Sequence, residues 1–190
     1  MLTPALLSAL ALASPLPDAP PAPRFEASDT VRIEVAASDV FAAGEAVHVE
    51  APVSDNAVLA GNQVHLDSPI HGSLFAAGEG LHIDAPVHGN VYVTGGEVRV
   101  GPEGRVDGHL RAASGELTIA GPVAGSVSSG SGRVVIQADI GGDVTVEAGE
   151  LVVGPDGHIY GDLTYTTPAA ADGVDDLSLI HISEPTRQIR

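Results

Sequence analysis

Apolar and polar residues alternate along this chain in blocks that repeat. Seven consecutive units begin at Val40, Ala57, Leu74, Val91, Leu110, Val127 and Val144, five of them 17 residues long and two of them 19. When the units are aligned, the apolar positions fall in fixed columns. The first holds Val40, Ala57, Leu74, Val91, Leu110, Val127, Val144 and Leu163. A second holds Val47, Val64, Leu81, Val98, Leu117, Val134 and Leu151, and two places on stand Val49, Leu66, Ile83, Val100, Ile119, Ile136 and Val153. A spacing of two is strand spacing, which puts both columns on the same side of a pleated backbone. A last column, Val53, Ile70, Val87, Val106, Val123, Ile140 and Ile159, closes each unit, and from the second unit on it leads into Gly72, Gly89, Gly108, Gly125, Gly142 and Gly161.

Each unit thus predicts about three short strands separated by glycine or proline corners. One such unit has no core of its own, but identical units stacked on one another enclose a continuous one. The predicted fold is all-β, a parallel β-helix of seven to eight turns. With successive turns about 4.8 Å apart, it is a rod of roughly 35 Å. The two longer units take their extra residues at GPEGRV and GPDGHI, which predicts a lengthened turn with the register kept. Two departures from the repeat, Asp55 where later units carry glycine and the polar VSSGSG from Val127, predict looser stacking at those turns.

Composition narrows the class. Hydrophobic residues make up 44% of the chain but aromatics only 3%, which suits a slim aliphatic core. The formal charge of −17, with only eight Lys plus Arg, argues against a nucleic-acid partner, since phosphate binding needs a basic face. The absence of cysteine excludes disulfides and thiol chemistry. No GxxxxGK[ST], GxSxG or HExxH motif is present, and no cofactor is indicated. The turns are too uniformly short to wall a carbohydrate groove. The columns step by seven, six and four residues, not by the strict six of hexapeptide acyltransferases.

The candidate chemistry is a histidine and carboxylate grid. VHVE, VHLD and LHID place His48, His65 and His82 outward between inward apolar neighbours, with Glu50, Asp67 and Asp84 two places on along the same face. Stacking predicts one histidine ladder, continued by Arg99, beside one acid ladder. The plain reading is a solvated ladder in which histidine moderates repulsion among acids. These six residues are also the candidate metal ligands, although no closed set of four is evident. Protonating three stacked imidazoles is expected to loosen this face near about pH 6. His71 and His88 occupy an exposed corner column, and Asn56, Asn90, Asp143 and Asp162 end their units as turn-forming polar residues.

Both ends differ from the repeat. Residues 1–23 combine an apolar run from Ala5 to Ala13, a small-residue site at Ala11-Leu12-Ala13 and a proline-rich stretch. They predict a secretory signal peptide, or an uncleaved apolar anchor, followed by a stiff linker. Residues 24–39 predict a partial capping turn, 40–168 the β-helix and 169–190 a disordered tail. Within that tail Leu177 to Arg187, LSLIHISEPTR, resembles the translation of a sequencing-library adapter and is set aside from fold reasoning.

The recurring valine, the AAGE or TGGE corner, the V-x-V pair, the short corner and the closing G-N, G-S or G-D resemble bactofilins and related polymer-forming cytoskeletal proteins. The resemblance covers roughly residues 30–168, and IYGDLTYTTP resembles the end of the solenoid in their exported, membrane-linked branch. It implies a right-handed β-helix that associates end to end into filaments, without nucleotide, at a membrane. The expected function is a non-enzymatic envelope scaffold whose partners are further copies of itself and a membrane. Its expected location is the exported envelope, with the cytoplasmic face of the membrane as the alternative. The rival reading is a secreted or surface β-helical adhesin, and behind it a β-helical carbohydrate-active enzyme.

Overall fold

The computed structural model describes residues 21–166 and 182–183. Of the predicted signal peptide or anchor with its linker, at residues 1–23, residues 1–20 lie outside the described residues, as does the tail other than Ile182 and Ser183.

The elements, in chain order, are β1 (Arg24–Ala27), β2 (Thr30–Ile33), β3 (Val40–Val49), β4 (Ala57–Leu66), β5 (Leu74–Ile83), β6 (Pro86–Val87), β7 (Val91–Val100), β8 (Arg105–Val106), β9 (Leu110–Ile119), β10 (Val127–Ile136), β11 (Val144–Val153), β12 (Leu163–Thr166) and β13 (Ile182–Ser183). The strands stack in parallel in the order β1-β3-β4-β5-β7-β9-β10-β11-β12-β13, with β2 also on β3. The described residues contain strands and no helix, and they form a β-solenoid of about eight turns.

Each unit has three faces. The first face is the start of the ten-residue strand, the second its remainder, and the third a single bridging residue. Pairing along the strand is interrupted at Glu45 and its equivalents, where the backbone bends from one face to the next. Two of the three strands expected per unit are therefore one continuous bent strand. The third contracts to isolated bridges such as Val53 to Ile70 and Ile70 to Val87, widening to two residues only where β6 pairs β8.

Close approach of backbones makes the bend possible without a loop. A Cβ on Gly78 would sit 2.1 Å from the Gly61 carbonyl oxygen of the preceding turn, so glycine permits this close approach here, while further along the same column Ser114, Ser131 and Ala148 stack with a side chain.

Every column read as apolar from the second and third faces is buried, from Val47 to Leu151, from Val49 to Val153 and from Val53 to Ile159. An inward column on the first face joins them, including Leu59 at 1% exposure and Val146 at 1%. Small and polar members such as Ala42 and Ser129 hide it in the sequence.

The expectation of loose stacking at VSSGSG does not hold. β10 keeps nine residue pairs with β9 and nine with β11. Ser129 and Ser131 turn inward and satisfy each other at 2.7 Å, with Ser114 bonded to Ser131 at 2.9 Å, so the hydroxyls replace apolar packing without leaving a buried polar atom unpaired. At Asp55 the ladder also continues, its N–H donating to the Ser38 carbonyl at 2.8 Å and its carbonyl accepting from Gly72 at 2.7 Å. The longer corners keep register as well: β7 pairs residue for residue with β9 across the GPEGRV turn.

Residues 24–39 pair with the next turn on all three faces, through β1, β2 and the Ala37 to Val53 bridge. At the other end, β13 pairs with β12 through Leu163 to Ile182 and Thr164 to Ser183.

Candidate functional site

On the second face, parallel in-register stacking makes equivalent positions into columns. The His48, His65 and His82 rings lie face to face, with centroids 5.0 and 4.9 Å apart and planes within 6°. Arg32 precedes them in the column and Arg99 follows. Arg32 also crosses to the acid column, its guanidinium 2.5 Å from Glu50.

Burial holds the His65 imidazole below its ordinary value, and His82 and His48 push the same way, while Asp67 and Asp84 oppose them. Among the described residues no group of three or more histidines and carboxylates could hold a metal ion. The geometry gives the reason for the histidines. Nitrogens on one tetrahedral ion lie no more than about 4 Å apart, whereas parallel rings at this spacing direct theirs side by side and not toward a common point.

The third face carries a smaller cluster. His71 and His88 are neighbours at 5.1 Å, tilted by 36°. His71 Nδ1 lies 3.2 Å from the Val53 carbonyl, and His88 Nδ1 lies 2.6 Å from Asp107, which Arg105 also contacts at 2.5 Å. The hydrogen bond from His88, reinforced by Arg105, holds the Asp107 carboxyl below the usual carboxylate range.

The unit-ending polar residues do more than shape their own turns. Asn56, Asn90 and Asp143 each accept a hydrogen bond from the backbone N–H of the residue ending the following unit. Ser73 N–H donates to Asn56 at 3.0 Å, His109 N–H to Asn90 at 2.9 Å and Asp162 N–H to Asp143 at 2.9 Å. Ser73 and His109 serve the same purpose, the latter through Nδ1, which accepts from Ser126 N–H at 2.9 Å. The result is a polar staple running up one corner of the rod.

The first face holds a feature that sequence reasoning missed. Phe25, Phe41, Val58, Phe75 and Tyr92 form one outward column. Phe25 stacks on Phe41 at 4.8 Å and Phe75 on Tyr92 at 4.9 Å. Beside it runs a column of Ala27, Ala43, Ala60 and Ala77, all exposed. The signal was the residue following each first-column position, which becomes a pattern only when read down the alignment.

The remaining candidate is the pair of solenoid ends. Arg24 and Ser28 donate forward to β3 and the loop before it, at 2.8 and 3.2 Å, so by strand alternation Phe25 and Ala27 turn their N–H and C=O groups away from it. At the far end Val144 donates forward to Asp162 at 2.8 Å. The equivalent positions in β12, Leu163 and Tyr165, therefore present their groups to whatever comes next.

A comparison with protein families matches residues 62–147 to the bactofilin family, described as polymer-forming cytoskeletal. The matched segment is similar to a bactofilin domain. No curated protein and no solved structure matches the chain. The matched bactofilin segment runs from β4 into β11 and contains His65, His82 and the second half of the aromatic column. The match supports a polymer-forming cytoskeletal scaffold, and the parallel solenoid fits that family. Among the described residues no helix is long and apolar enough to cross a membrane.

Proposed function

We propose that this chain is a non-enzymatic scaffold of the cell envelope that polymerises through the ends of its solenoid. The carrying observation is the pair of strand edges. Each end of the rod displays backbone donors and acceptors at the strand spacing of the turns already stacked, so a second copy can extend the ladder. At the C-terminal end Ile182–Ser183, from the adapter-like stretch set aside above, lies on part of the β12 edge, opposite Leu163 and Thr164. The apolar N-terminal segment of the sequence supports a membrane link, and the exported branch that IYGDLTYTTP resembles supports placement in the envelope. The cytoplasmic face of the membrane is the alternative location. Nothing in the acidic surface favours nucleic acid, and the faces of the rod carry no motif for catalysis.

The test is negative-stain electron microscopy of the full chain across a concentration series, beside Ala27→Pro and Tyr165→Pro. At Ala27 proline removes an edge donor that no described pair within the chain uses, and at Tyr165 it removes an edge donor of β12, on which the short β13 lies. Long filaments are expected from the wild type. With either edge blocked, only rods of one or two subunits are expected, with strand content by circular dichroism retained. Long filaments from both variants would mean that the ends are not the joints.

A further inference from the structure

Seven histidines lie among the described residues, and hydrogen bonding fixes the proton on four of them. A carbonyl or an ionised carboxylate oxygen can only accept, so a ring nitrogen facing one must carry the hydrogen. His71 Nδ1 faces the Val53 carbonyl at 3.2 Å, and His88 Nδ1 faces Asp107 at 2.6 Å. Each of these rings, when neutral, is therefore held with Nδ1 protonated and with Nε2 as a bare lone pair. His158 is held in the same way by Asp139 at 3.1 Å, but no other imidazole adjoins it. His109 is the reverse case, its Nδ1 accepting from Ser126 N–H. In the second-face ladder no hydrogen bond orients the rings of His48, His65 and His82. Among the described residues, only His71 and His88 combine a fixed, bare Nε2 with a neighbour of the same kind, their centres 5.1 Å apart and their planes tilted by 36°.

We propose that His71 and His88 form a binding site for a late first-row divalent metal ion, of the class of Zn²⁺, Ni²⁺ and Cu²⁺. Donation of the far N–H to a carboxylate or a backbone carbonyl is the arrangement that metal-ligating histidines adopt, because it fixes the tautomer and raises the basicity of the ligating nitrogen. Both residues are exposed, so an ion can reach them from solvent. Two neutral nitrogens select this class over Mg²⁺ and Ca²⁺, which take oxygen. Asp107 supplies its negative charge from behind His88, where Arg105 also holds the carboxylate in place. With two protein ligands the site is open, and water or an external ligand completes the coordination sphere. On a tetrahedral ion the two nitrogens lie about 3.3 Å apart. The tilt, which the second-face ladder lacks, brings one edge of this pair closer than its centres, and rotation of the two exposed rings closes the rest.

The position gives the ion a structural effect. His71 follows Ile70 and His88 follows Val87, and on the third face these two turns meet at the Ile70 to Val87 bridge. An ion held by both rings clips the turns together on the face where backbone pairing is sparsest. Because its ligands come from adjacent turns of one chain, the site is complete within a subunit and is independent of polymerisation.

Two measurements on the full chain, stripped of metal with a chelator, test it. In titration calorimetry with Zn²⁺, the wild type is expected to show a site that His71→Gln and His88→Gln each abolish, and that the triple variant His48→Gln/His65→Gln/His82→Gln retains. Asp107→Ala keeps both imidazoles but releases His88 Nδ1, and is expected to weaken binding by about tenfold or more. In thermal melting, Zn²⁺ should raise the midpoint of the wild type and leave that of His71→Gln unchanged, since an ion that binds the folded site stabilises it. Circular dichroism without metal checks that every variant keeps its strand content. Zinc binding that survives both single substitutions, that is lost only with the ladder, or that is absent from the wild type would overturn the proposal.

Discussion

His65 stands between two other imidazoles, and its titration couples this face to stability. Its folded-state value lies below the ordinary 6.5, chiefly through burial and then through His82 and His48. The unfolded chain therefore takes up the proton first on acidification. The stability that depends on neutral His65 is complete above about pH 6.5 and is lost as pH falls toward the lowered folded value. Thermal melting of the wild type should fall between about pH 8 and about pH 5, and His65→Thr should flatten the slope. A wild-type melting temperature unchanged over that range would remove the histidine ladder as a pH-sensitive element. Asp107 works in the same sense but in a lower window: the hydrogen bond from His88 holds its folded-state value down, so its contribution is present above the ordinary carboxylate value and is lost as pH falls toward the lowered folded one. The outward placement of His48, His65 and His82 was legible from alternation, since each lies between two inward valines, leucines or isoleucines. The reach of Asn56 to the backbone of Ser73 was not, because a hydrogen bond across 17 residues appears only once the turns are stacked.

At the level of the element, the fold depends on how closely one bent strand approaches the next. Gly78 and Gly130 make a matched test. A Cβ on Gly78 meets a carbonyl oxygen at 2.1 Å, while one on Gly130 meets nothing within 4 Å. Gly78→Ala should force the turns apart and lower stability by about 2 kcal/mol or more. Gly130→Ala should be neutral or raise it by about 0.4–1 kcal/mol by restricting the unfolded chain. Chemical denaturation of the two variants checks the contrast, and equal effects would mean that close approach is not what glycine provides. Columns two residues apart made the second face readable, since Val47 and Val49 alternate cleanly with His48. The first face was less so. Its inward column mixes Ala42, Leu59 and Ser129, and a polar unit such as VSSGSG gives no sign that Ser129 and Ser131 will satisfy each other inside.

For the whole molecule, each turn contacts only its neighbours, so units should be removable in register. Deleting residues 57–73 joins Asn56 to Leu74, which begins an equivalent unit. The shortened chain should fold, retain its strand signal in circular dichroism and lose about 4.8 Å of rod length by small-angle scattering. Removing one residue fewer should leave the apolar columns out of line and disrupt the rod. If both deletions fold equally well, the columns do not set the register.

The three faces are not equally tied. Along the first and second, nine residues of β9 pair with nine of β10, whereas the third is held mainly by single bridges such as Val123 to Ile140. A beam whose wall is densely bonded on two sides and sparsely on the third bends most readily in the direction that opens or closes the sparse wall. The solenoid therefore has a built-in compliant direction, and any longer structure made from it in fixed orientation inherits a preferred plane of curvature.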